Sequence, residues 1–212
     1  DLKVLGTLYD LYMHVRAQKD EWREVNFGEL LPRKVEEEKE DEKGPGAATH
    51  KKDEYVTVKL DEMDNKIVEF SSQKFKVNKK LIDTPEYTNL SQEIEELKNL
   101  VEAFRGLTDM NFEDYHYKDL GEQLKVPPLE NVRADGGNFK LKLLFDAKVG
   151  DELERIDDVK SLAKTQKKVR DTLGEIDNEW KSRVFKFEEH KTIKDIVLLD
   201  ALETQQIKDQ LE

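Results

Sequence analysis

Four histidines, His14, His50, His116 and His190, are the side chains best suited to move protons or ligate a metal near neutral pH. They are scattered, and none belongs to an H-E-x-x-H or comparable ligand spacing. His116 lies between Tyr115 and Tyr117, where an imidazole is expected to hydrogen-bond or pack. Asp61, Glu62 and Asp64 have the carboxylate density of a calcium loop but lack its glycine at the sixth position and glutamate at the twelfth. Gly44-Pro45-Gly46 and Gly136-Gly137 are the glycine clusters, and neither opens G-x-x-x-x-G-K-[ST] nor completes G-x-G-x-x-G. They are expected to be flexible turns. Asn89-Leu90-Ser91 fits a glycosylation acceptor, which without a secretory signal is read as chance. No serine is placed beside a base. The residues therefore predict no catalytic group, no cofactor and no metal in this chain.

Composition points toward elements that bury only part of themselves. Charged residues make up 40% of the 212 and hydrophobic ones 36%, the reverse of an ordinary globular domain. Long amphipathic helices tolerate that balance, because one stripe of each must be buried. The net charge of −12 argues against nucleic acid, whose affinity comes from neutralising phosphates, and against anionic membrane surfaces. There is no cysteine, hence no disulfide framework. No stretch is apolar enough for a membrane span, and no apolar signal core opens the chain. The expectation is a soluble, intracellular chain. A start at Asp1 without methionine suits a fragment.

The elements follow from periodicity and breakers. Residues 2–17 predict a helix with Leu2, Leu5, Leu8, Tyr9, Tyr12, Met13 and Val15 on a broad face. That face continues loosely through Trp22, Val25, Phe27, Leu30 and Leu31 until Pro32 interrupts it. Residues 1–32 form the first segment. Residues 33–59 read as an acidic flexible insertion, with charges over 36–43, glycine and proline over 44–46, and no apolar anchor before Tyr55. Tyr55 to Leu60 predicts a short strand. Residues 60–125 read as a helical, hairpin-like segment. Thr84 caps a helix that begins at Pro85, and its stripe of Leu90, Ile94, Leu97, Val101 and Phe104 ends at Gly106 as a C-terminal cap. A shorter helix over 110–125 follows, then an irregular connection between Pro127-Pro128 and Asp135-Gly136-Gly137-Asn138. Residues 126–212 make a helical segment with a short helix at 139–147, a long one at 151–180 and a final one at 199–211. A short extended piece is expected around Phe185 and Phe187.

The long helix carries the clearest pattern. Leu162, Gln166, Val169, Leu173, Ile176 and Trp180 step by alternating fours and threes among residues that are almost all charged. Leu162, Val169, Leu173, Ile176 and Trp180 are expected to form one packed seam, with Phe185 and Phe187 locking the next element. Truncation of a buried Trp180 to alanine would cost about 3–5 kcal/mol. The fold class is all-α: an elongated helical bundle or rod, with a short β segment and the acidic insertion.

Read in order, the identities resemble the linker region of dynein heavy chains. That family has a helix L-K-x-x-x-x-x-F, a short R-H-W-x-x-[IL] element, a segment F-x-L-x-x-L, and a long helix that reaches a tryptophan. Here Leu97-Lys98 with Phe104 precede Tyr115-His116-Tyr117-Lys118-Asp119-Leu120. Phe139, Leu141 and Leu144 follow, and then Glu179-Trp180. Leu198-Leu199 and Glu203-Thr204-Gln205-Gln206-Ile207 are similar to L-L-x-G-x-E-T-x-x-I. Leu8-Tyr9-Asp10-Leu11-Tyr12 is similar to the opening L-Y-x-L-Y, with Trp22 after it. The departures are tyrosines at 115 and 117, Gly121-Glu122-Gln123 in place of threonine-glycine, and the acidic insertion. They suggest a divergent, axonemal heavy chain.

The resemblance implies a mechanical part: a curved helical lever that bends and straightens as the ATPase ring turns over nucleotide. ATP and magnesium would belong to the parent motor and not to this chain. The implied partners are the rest of the heavy chain with its ATPase ring, dynein intermediate or light chains, and microtubules indirectly. The implied location is the cytoplasm and cytoskeleton, or the axoneme of a cilium or flagellum. The alternative from the same stripe is a coiled-coil or spectrin-like scaffold binding partner proteins, although Pro127-Pro128 and Gly136-Gly137 interrupt its heptads. A helical hydrolase would have only generic acidic residues behind it.

Overall fold

The computed structural model describes residues 2–34, 55–77, 81–189, 191–194 and 196–211. Most of the acidic insertion lies outside the described residues. The fold is all-α, with seven α-helices and two short two-stranded pairings among the described residues. The chain divides into two compact units, residues 1–165 and 166–212.

In the first unit, α1 (Leu2–Arg23) runs past the expected end at residue 17. Among its described side chains it buries Leu8, Leu11, Val15 and Trp22 and packs Tyr12 partly against the core, while Leu5, Tyr9 and Met13 stay exposed. A 3₁₀ turn at Phe27–Glu29 leads to β1 (Arg33–Lys34), which pairs antiparallel with β2 (Tyr55–Val56). The predicted strand is therefore only two residues long. From Val58 the chain is already in α2 (Val58–Phe75), because Leu60, Met63, Ile67 and Phe70 all fall on one buried helical face. Packing of that face outweighs the β-propensity of its first residues.

The predicted start of α3 (Pro85–Leu107) holds. Thr84 sits in extended backbone and its Oγ1 accepts the Tyr87 N–H at 3.4 Å, with Pro85 at the first helical position. Its end differs from expectation. Gly106 is not the cap but lies within the helix, buried, and Thr108 closes the last turn. The reason is steric: a Cβ at Gly106 would meet Ile156 Cγ2 at 2.5 Å. Next, α4 (Asp114–Leu124) ends on Lys125 in the left-handed region at φ 57°. A 3₁₀ helix at Pro127–Asn131 folds back on α4, and the Val126 N–H donates to the Gly121 carbonyl at 2.8 Å. The expected helix at 139–147 is α5 (Lys142–Asp146). After it, a 3₁₀ turn at Val149–Glu152 packs on α3 where Gly150 approaches the Leu100 backbone.

The helix α6 (Leu153–Ser182) contains the boundary between the units. In the second unit β3 (Phe187–Glu189) pairs antiparallel with β4 (Val197–Leu199), Phe187 opposite Leu199, and α7 (Ala201–Leu211) closes the chain. The extended piece expected near Phe187 is thus one strand of a pair. One apolar core runs through α1 to α5 and the start of α6, so residues from three of the sequence-defined segments share it.

Candidate functional site

The first group of interest is built around α4. Phe112, His116 and Tyr117 cluster in the core, with Phe112 to Tyr117 at 5.3 Å edge-on and Tyr115 to His116 at 4.1 Å. His116 is 1% exposed. Its Nδ1 accepts the backbone N–H of Glu113 at 2.9 Å, which satisfies a donor that the first turn of α4 would otherwise leave unpaired. The imidazole thus caps its own helix. The Tyr117 hydroxyl donates to the Leu107 carbonyl at 2.9 Å, tying α4 to the end of α3. Burial pushes the Tyr117 phenol well above its ordinary range, with Asp109 and Asp114 adding to the shift and Arg133 opposing it. Leu120, Leu141 and Leu144 are buried, and Phe139 is half-buried, stacked on Phe27 at 5.2 Å. All six family-like positions (His116, Tyr117, Leu120, Phe139, Leu141 and Leu144) therefore stand in or against one core.

Arg133 organises the surface of this cluster. It donates to the Phe112 carbonyl and lies 3.8 Å from Glu113 and 3.7 Å from Asp114. No periodic signal in the sequence marks Arg133, because it lies in the irregular connection. Asp61 and Asp64, two of the carboxylates with calcium-loop density, both pair with Arg105 of α3, Asp61 at 3.1 Å. Burial works against the Arg105 charge, and the hydrogen bonds it donates to Asp64 and Asp61 outweigh that, holding the guanidinium above its ordinary value. These acids tie α2 to α3. Among the described residues, no group of three or more acidic or histidine side chains could hold a metal ion.

The second group is the stripe on α6. The helix buries only Ile156 and Ala163. Leu162, Val169 and Leu173 are 50%, 53% and 58% exposed, and Ile176 is half-buried. The seam expected from the spacing is thus not closed by the described residues of this chain. A helical period identifies a face but not what covers it. Trp180 is half-buried and tilts against Phe185 at 5.9 Å, with the Arg183 guanidinium 5.4 Å from its ring. Phe185 is half-buried, while Phe187 is 61% exposed on β3. The structure brings Trp180 and Phe185 together and leaves Leu162, Val169 and Leu173 exposed. Chemically, α6 offers a charged helix with an apolar line that the described residues leave exposed.

A family model described as dynein heavy chain, N-terminal region 2, matches residues 46–212, well over half of the chain. No curated protein matches it.

Proposed function

The chain belongs to the dynein heavy chain N-terminal region 2 family, and from that membership we propose that it acts as the mechanical linker of a dynein heavy chain. In this reading it is a lever that carries conformational change in the ATPase ring of a microtubule motor to the tail. ATP and magnesium are bound elsewhere in the parent heavy chain, and this chain contributes stiffness and surfaces. Its immediate partner is the rest of the heavy chain, with intermediate or light chains as further partners and microtubules reached through the motor. It works in the cytoskeleton, of the cytoplasm or of a ciliary axoneme.

The observation that carries the lever reading is α6, a single helix of 30 residues. A long helix held by its own backbone hydrogen bonds is the kind of element suited to carrying displacement. In the lever reading the exposed line of Leu162, Val169 and Leu173 docks on the rest of the heavy chain; the same face also suits a second reading, a helical scaffold that binds partner proteins through it. The two separate on coupling. In the heavy chain that carries this segment, four flexible residues (Gly-Ser-Gly-Ser) inserted after Lys167 should slow microtubule gliding several-fold while ATP turnover persists. A scaffold would keep gliding speed and lose partner capture. Unchanged gliding with the insertion would overturn the lever reading.

A further inference from the structure

Between Lys164 and Glu175 every residue of α6 is exposed except Gln166, which is half-buried. The described residues leave this stretch to solvent, with the apolar Val169 and Leu173 at its middle. A helix in water draws most of its stability from whatever packs on its apolar face. The charges of this stretch work against it as well. From Lys160 to Arg170 there are five basic residues and no acid, and from Asp171 to Trp180 four acids and no base. Lys160, Lys164 and Lys168 step by four, as do Asp171, Glu175 and Glu179. Like charges at that spacing repel each other along a helix, so each half of the stretch suits an oppositely charged neighbour better than it suits itself.

The apolar line and the two charge blocks share a centre. Counted outward from Asp171, Val169 and Leu173 lie two residues away, Gln166 and Ile176 five, and Leu162 and Trp180 nine. A two-fold axis at that point sets residues equally distant from it against each other in two antiparallel copies, and every contact then occurs twice. Val169 of one copy meets Leu173 of the other, and Gln166 meets Ile176, as successive layers of a coiled-coil seam. The same rotation lays the basic half of one helix along the acidic half of the other. Lys168 comes opposite Glu175 and Glu179 of the other copy, while Arg170 meets its own counterpart near the axis. A parallel pair would set like blocks side by side.

We propose that the exposed line of α6 is a self-complementary surface whose partner is α6 of a second copy of this chain, paired antiparallel about Asp171. A seam of six layers is small among protein interfaces, and Gln166 brings a polar group into it, so the pairing is weak and forms at high local concentration. It covers the same line that the lever reading docks on the rest of the heavy chain, so one molecule makes one contact or the other. The pairing rests on the stripe and its charges and stands apart from the lever reading.

Sedimentation equilibrium of the whole chain, from about 10 µM to about 1 mM, tests it. The wild-type chain should dimerise within that range. Lys168→Glu and Glu175→Lys, both at exposed positions, should each weaken self-association by about tenfold or more, because like charges then face each other. An equimolar mixture of the two variants should dimerise again, since each altered charge meets its opposite. The proposal is overturned if the wild-type chain stays monomeric throughout, if either variant associates as the wild type does, or if the mixture restores no dimer. A monomeric wild-type chain whose parent motor is slowed by the flexible insertion would sink the pairing and leave the lever. Dimers rescued by the mixture, with gliding untouched by the insertion, would do the reverse.

Discussion

Gly106 in α3 and Gly174 in α6 sit inside long helices and meet opposite surroundings. A Cβ at Gly106 would run into Ile156 Cγ2 at 2.5 Å, whereas at Gly174 nothing lies within 4 Å. The same contrast holds for the larger side chains of the two helices. Nine residues of α3 are buried against two in the longer α6. The helix α3 is the centre of a closed core, while α6 beyond Ala163 presents apolar residues, Val169 and Leu173, that the described residues leave exposed. A helix of the first kind contributes stability to the isolated chain. One of the second kind contributes mainly when something else lies against it, and that is the property a lever or a docking rod needs.

The largest effect that would sharpen this contrast belongs to the closed core. Phe104 is fully buried and meets the Phe145 ring edge-on at 5.8 Å. Phe104→Ala should cost about 3–5 kcal/mol, readable as a lower denaturant midpoint with an unchanged slope. A cost under about 1 kcal/mol would place α3 outside the core.

The two glycines give the next test, with opposite signs. Gly106→Ala should destabilise by about 1–3 kcal/mol through overpacking on Ile156. Gly174→Ala should stabilise α6 by up to about 1 kcal/mol through helix propensity alone. Thermal unfolding separates them, and a loss of stability at Gly174 would mean that its face of α6 is packed.

A smaller effect is expected at Tyr117, with a distinctive dependence on pH. Tyr117→Phe removes a buried hydrogen bond to the Leu107 carbonyl and should cost about 1 kcal/mol near neutrality. Burial raises the phenol pKa in the folded state, so above about pH 10 the unfolded chain releases a proton that the folded one retains. The stabilising contribution is complete below that pH and is lost as pH rises through the folded-state value. The gap between wild type and Tyr117→Phe should therefore shrink in alkali. A gap that widens above pH 10 would contradict the burial of this hydroxyl.

Local chemistry was legible in the sequence where the cause was itself local. Thr84-Pro85 announced a helix start because the cap and the fixed proline φ act within one turn. His116 was legible as a packing or hydrogen-bonding residue, since its tyrosine neighbours and its reach back to Glu113 lie within the same helix end. The stripe on α6 was legible as a face, but its exposure was not, because periodicity carries no information about what lies opposite. Features that depend on distant contacts stayed hidden. Gly106 has the sequence context of a cap, and its real constraint is Ile156, which fills the space beside it. Gly28 gave no signal at all, since its constraint comes from the Gly136 and Gly137 backbone far along the chain. The boundary of β2 failed for a related reason: the β-branched run at 55–58 competes with the helical face that starts at Leu60, and tertiary packing decides.

In the proposed function the exposed line of α6 works on something outside the isolated chain. The most direct measurement is microtubule gliding velocity per ATP hydrolysed in the parent heavy chain carrying Val169→Ala with Leu173→Ala, beside thermal unfolding of the isolated chain with the same changes. The lever reading predicts gliding slowed several-fold at undiminished ATP turnover, with isolated-chain stability changed by no more than about 0.5 kcal/mol for each substitution. Wild-type gliding from the doubly substituted motor would contradict it.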